Sequence, residues 1–103
     1  MKIEYNIPNY TKAEAYIIID DFLNNLVSEH SDLVSNPSKT WNASKDKMDF
    51  EFEAKGINVS GDIKLLEGKL VLNGDLPWLV ERLYGGKIET MIKENLDTLF
   101  VKK

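Results

Sequence analysis

Three alternating runs joined by two-residue turns constrain this chain more than any other feature. Met48, Phe50, Phe52 and Ala54 alternate with Asp49, Glu51 and Glu53. Ile57, Val59, Gly61, Ile63 and Leu65 alternate with Asn58, Ser60, Asp62 and Lys64. Lys55-Gly56 separates these runs, and Glu67-Gly68 follows the second; both read as two-residue hairpin turns. Register then becomes arithmetic. Ala54 pairs with Ile57, Phe52 with Val59, Phe50 with Gly61 and Met48 with Ile63. Across the second turn Leu65 pairs with Leu70, Ile63 with Leu72 and Gly61 with Gly74. A further turn over Ser44-Lys45-Asp46-Lys47 is expected to pair Ala43 with Met48 and Trp41 with Phe50. The outcome is a four-stranded meander over residues 39–43, 47–54, 57–66 and 69–74. One of its faces carries Trp41, Phe50, Gly61 and Gly74 in a row.

The flanks supply the rest of the fold. Ile3, Tyr5 and Ile7 alternate with Lys2, Glu4 and Asn6, a short strand over 2–7 stopped by Pro8. It is expected to join the meander beside the last strand. Thr11 and Glu14 form a capping box, and Tyr10 can staple onto Ala15. The helix that follows, from Lys12 to Glu29, has an apolar stripe of Ala15, Ile19, Phe22, Leu23, Leu26 and Val27, widened by Ile17 and Ile18. Asp20-Asp21, Asn24-Asn25 and Ser28 fall largely on its other face. Residues 30–38 read as a connection with a short extended piece at Leu33-Val34. Leu76-Pro77 stops the sheet, and Pro77 suits the first turn of a second helix. That helix has a stripe of Val80, Leu83, Tyr84, Ile88, Ile92, Leu96, Leu99 and Phe100. Gly85-Gly86 interrupts it at a cost of about 1 kcal/mol per glycine, so a kink or a break is expected there.

The outward sheet face is polar, with Asp49, Glu51, Glu53, Asn58, Ser60, Asp62, Lys64 and Asn73; Val71 is the exception. The opposite face needs a cover, and the two amphipathic helices supply it. The expected fold is a two-layer α+β domain of order β-α-β-β-β-β-α, an antiparallel sheet with both helices on one face. It is similar to a reduced helix-grip domain.

At 103 residues the chain is read as a single domain, 1–103. Its 17 acidic and 13 basic residues give a formal net charge of -4, which argues against nucleic acid or an anionic membrane as partner. The chain has no Cys and one His, which excludes disulfides, thiol chemistry and multi-His metal sites. The N-terminus has no signal-peptide pattern, and no apolar stretch spans a bilayer. The expected location is the cytoplasm. No nucleotide or metal-loop motif occurs, so no cofactor or metal is expected.

No residue stands out as a catalytic acid, base or nucleophile. His30 follows a helix, where a cation suits the dipole. Asp49, Glu51 and Glu53 point into water beside Asp62. Catalytic use would need a pocket to shift their pKa values. The glycine row has two readings. Phe50 and Trp41 lean over Gly61 and Gly74, or a helix backbone comes close there, both ordinary uses of strand glycines. Alternatively the recess is a pocket for an apolar ligand lined by Trp41, Phe50, Gly61 and Gly74. Close packing of interiors favours the first. Trp78, just after Pro77, either covers the core edge or serves a partner as an exposed aromatic.

The Thr11–Ala15 helix start, Trp41, the Phe50/Phe52 strand, Lys55-Gly56, Val59-Ser60-Gly61, Gly74-Asp75-Leu76-Pro77 and the stretch Lys87-Ile88-Glu89 to Glu94-Asn95-Leu96 occur in an order and spacing that resembles the small bacterial polyhydroxyalkanoic acid system proteins. The resemblance runs from Tyr5 to Leu99. It implies a non-enzymatic accessory role at polyester storage granules, by binding the granule surface or a granule-associated protein. The residues expected to carry that role are Trp78 and the last helix. The second expectation is a small module for an apolar, lipid-like ligand.

Overall fold

The structure, a computed structural model, describes residues 1–29, 32, 34–54, 56–75 and 77–100, with backbone alone at 26, 78–81 and 84. His30, Leu33, Lys55, Leu76 and Lys102-Lys103 lie outside the described residues, as do the side chains of Leu26, Trp78, Val80 and Tyr84. The elements are β1 (Lys2–Asn6), α1 (Lys12–Glu29), β2 (Val34–Trp41), β3 (Lys47–Ala54), β4 (Ile57–Leu66), β5 (Lys69–Asp75) and α2 (Trp78–Leu99). The five strands form one open antiparallel sheet in the order β1-β5-β4-β3-β2. The first strand joins the free edge of β5, as the sequence leads one to expect.

The registers of β3, β4 and β5 are those that the two turns impose. Phe50 faces Gly61, Met48 faces Ile63, and Leu65 faces Leu70. Gly56 and Gly68 take positive φ values of 80° and 71°, as tight hairpin turns require. The thirteen-residue spacing of Gly61 and Gly74 is likewise preserved as a cross-strand pair.

The β2 register is corrected by two residues. Trp41 pairs with Met48, not Phe50, and Lys39 is the residue opposite Phe50. Ala43 does not pair with Met48; it lies in the loop. The cause is Asn42. Its N–H donates to the carbonyl of Lys47 (2.9 Å), and its Oδ1 accepts from the N–H groups of Asp46 (3.0 Å) and Lys47 (3.2 Å). Lys45 sits in the left-handed region at φ 60°. The loop therefore closes on Asn42 and Lys47, and the tip is residues 43–46. An even shift keeps Trp41 on the inner face. It moves Trp41 out of the glycine row and into the row of Met48, Ile63, Leu72 and Ile3.

β2 also starts earlier than expected, at Val34, because pairing with β3 carries the strand through Pro37. One extra residue is absorbed between Ser35 and Ser38, where Asn36 has φ 52°. This is a bulge, the place where an edge strand tolerates proline.

The core lies on one face, between that face and both helices. Ala15 and Ile19 of α1 meet Met48, Ile63, Leu65 and Leu70 of the sheet, together with Ile7, and Leu96 and Phe100 close the other end. Thr11 and Glu14 make the reciprocal capping box, at 2.9 and 3.1 Å. Phe100 is held edge-on by Tyr10, with ring centroids 5.1 Å apart. Tyr5 donates to the Asp97 carboxylate and ties β1 to α2. Burial, then that hydrogen bond and the nearby negative charge, push the Tyr5 phenol up to about 12.

Two stripe assignments are corrected. Ile17 is 57% exposed, because it stands about half a turn from both Ala15 and Ile19. Leu83 is 63% exposed; nine residues before Ile92, it too lies about half a turn from the buried side. α2 continues through Gly85-Gly86 as one helix without a break. Pro77 stands at its N-cap, with no side-chain cap bond.

The glycine row is covered. A Cβ on Gly61 would fall 2.1 Å from the backbone oxygen of Asn73 and 2.8 Å from Phe50 Cζ. A Cβ on Gly74 would meet Met1 Cε at 3.1 Å. Gly61 is thus fixed by a backbone atom that cannot retreat, Gly74 by the tip of a flexible side chain. Gly61→Ala is expected to cost about 1–3 kcal/mol by overpacking, and Gly74→Ala less than about 1 kcal/mol. Thermal unfolding of the two variants side by side checks the difference.

Candidate functional site

The inner face is not closed everywhere. Toward the β2 edge, the second half of α1 and the ends of β2 and β3 leave an apolar cleft of about 240 Å³. Its floor is Phe50 and Phe52, whose rings stack at 6.4 Å with an interplanar angle of 21°. Leu23 and Val27 form the helix wall, Val34 and Pro37 the strand wall. The polar groups at its margin are Asn24, Ser38, Lys39 and Glu51. The surface of the cleft is otherwise almost wholly apolar.

Local structure explains why the cleft is here. Ala15 and Ile19 press α1 onto the sheet, while Leu23 and Val27 are only partly buried. The bulge at 35–38 disrupts the edge strand opposite them. Phe50 leans toward Gly61, which leaves the space beside Phe52 to the cleft.

One end of the cleft is pinned by a polar cluster. Lys39 and Trp41 alternate with Thr40, so both face α1. Asp20 of α1 accepts from the Lys39 ammonium and, at 3.0 Å, from the Trp41 indole N–H. The Trp41 ring stands edge-on to Tyr16, centroids 4.7 Å apart. The Lys39 hydrogen bond is the main reason that the Asp20 carboxyl titrates below its ordinary 3.8; burial opposes it, and the Trp41 bond, the Lys39 charge and Asn24 add to it. The expectation that Asp20 lies on the outer side of α1 is thereby corrected, since Lys39 and Trp41 draw it toward the sheet.

The sequence-derived site residues are distributed unevenly. Phe50 lines the cleft. Trp41 stands next to it through Asp20. Gly61 and Gly74 lie under Phe50 and Met1, away from the cleft lining. Trp78 is the first residue of α2, with its side chain outside the described residues. Leu23, Val27, Val34, Pro37, Asp20 and Lys39 were missed. The signal for Lys39 is its place two residues before Trp41 in the expected 39–43 strand, which puts both on one face, whereas Val34 and Pro37 fall in the stretch 30–38 that reads as a connection. Among the described residues no group of three His, Cys, Asp or Glu gathers to hold a metal. Asp49 faces Asp62 across the open side of the sheet.

The Asp20 cluster predicts a pH dependence. Because folding lowers the Asp20 value, its contribution is present above the ordinary carboxylate value and is lost as pH falls through the folded one. Asp20→Asn should be less stable than the parent at pH 7, and the gap should narrow on acidification below 3.8. Urea midpoints for both proteins from pH 7 to pH 2.5 measure it.

Among the described residues no helix is long and apolar enough to cross a membrane. No curated protein matches the chain, and no solved structure does. The family model described as "Putative polyhydroxyalkanoic acid system protein" matches residues 9–100. That span takes in α1, the whole β2–β5 meander with its cleft, and α2. The chain belongs to this polyhydroxyalkanoic acid system family.

Proposed function

We propose that this protein is a non-enzymatic, cytoplasmic accessory protein of polyhydroxyalkanoate storage, acting by binding the granule surface or a granule-associated protein. Family membership supports the setting. The observation that carries the binding role is apolar exposure on α2. Leu83 is 63% exposed and Met91 56%, about two turns apart. Large side chains left in water on a helix that already buries another face suit a partner or an apolar surface. Trp78, the first residue of the same helix, is a further contact candidate in this reading.

The test is co-sedimentation with polyester granules. The parent protein is expected in the granule fraction, and the double variant Leu83→Glu, Met91→Glu in the soluble one at unchanged thermal stability. Trp78→Ala is expected to weaken association in the same way. A parent protein that stays soluble in granule-producing cells and captures no granule protein ends this reading.

A second reading, a module for a small apolar ligand, is favoured by the cleft over Phe50 and Phe52. In it Phe50 touches the ligand, Trp41 holds the polar end through Asp20, and Gly61 gives the Phe50 ring its place, with Gly74 beside it under Met1.

A further inference from the structure

The cleft has features that select among apolar ligands. Its volume of about 240 Å³ is below the roughly 300–1,000 Å³ of sites for drug-sized molecules. A single short acyl group fits it, and a long lipid chain does not. The edge strand beside it is unsuited to a peptide. Pro37 has no N–H and the bulge breaks the ladder, so an added strand would find no continuous edge. The occupant is therefore a small molecule.

Charge narrows the choice further. Among the described residues Lys39 is the one cation at the margin, and Asp20 already neutralises it. The Asp20 carboxylate stands beside that ammonium, and the chain as a whole carries -4. A free carboxylate would gain little here and would meet the Asp20 carboxylate beside Lys39. A neutral ester is compatible. An ammonium has three donors, so Lys39 can hold Asp20 and still donate to a carbonyl oxygen. Asn24 adds a donor.

We infer that the cleft between α1 and the β2–β3 edge binds one unit of a neutral, short-chain acyl ester. Its alkyl part lies on Phe50 and Phe52, and its carbonyl accepts from Lys39. The inference rests on the second reading above and specifies its ligand; it is independent of granule binding through α2.

The experiment is titration of the isotope-labelled protein with methyl hexanoate, with hexanoate and hexan-1-ol as controls, followed by amide shifts. The ester should perturb residues 23–27, 34–39 and 50–52 and bind more tightly than either control. Lys39→Met should weaken the ester about tenfold, the worth of one charge-assisted hydrogen bond, and leave hexan-1-ol unchanged. Val27→Phe, which fills the cleft from the helix wall without touching the Asp20 cluster, should abolish ester binding in a protein that remains folded. Equal binding of ester and alcohol, with Lys39→Met neutral toward both, overturns the ester assignment but leaves an apolar-ligand module standing. Tighter binding of hexanoate overturns the argument from charge. Absence of binding by all three probes overturns both the inference and the module reading.

Discussion

A sheet with one apolar and one charged face can exist in water only if something covers the apolar side. In this chain the remaining structure follows from that requirement. β3, β4 and β5 place Met48, Ile63, Leu65 and Leu70 on the same side. α1 covers them with Ala15 and Ile19, and the end of α2 does so with Leu96 and Phe100. β1 completes the platform and is bound to α2 through Tyr5 and Asp97. Two helices of ordinary diameter do not cover five strands evenly. The part left over is the strip at the β2 edge, and the cleft lies there.

The polar cluster of Asp20, Lys39 and Trp41 takes over where apolar cover ends. It joins α1 to β2 at a point where packing is incomplete. A partly buried ion pair is a modest source of stability by itself. Its place is informative, because it joins α1 to β2, the two elements that wall the cleft. The same cluster turns Lys39, a residue of ordinary surface type, into an oriented donor beside two stacked phenylalanines.

How far the sequence discloses this structure depends on the range of the interactions. The β3–β5 registers and the α1 capping box are legible because two-residue turns and a four-residue cap leave few alternatives. Trp41 was placed one pair out because the closing contact of its loop is a side chain, Asn42, whose bonds do not follow from alternation. β2 was read as too short because Pro37 and Asn36 argue locally against a strand, and tertiary pairing overrode them. Ile17 and Leu83 join their stripes through local spacing, Ile17 beside Ile18 and Leu83 three residues after Val80, although their phase relative to the buried side places them outside. The cleft was not legible, since it results from the fit of a helix against a bulged edge. Of the expected site residues, Phe50 lines it, and Gly61 seats that ring, while Gly74 lies under Met1.

The loop closed by Asn42 has a consequence for how such a chain can vary. Its registration error relative to simple turn counting is two residues, an even number, and the inner face survives it. Insertions or deletions in residues 43–46 should accordingly be tolerated by parity. A change of two residues slides β2 along β3 and returns each side chain to its own side. A change of one inverts the strand, sends Trp41 and Lys39 into water and leaves Asp20 facing Thr40. Length variation among related chains at this tip should therefore come in pairs, unless a second bulge restores the phase.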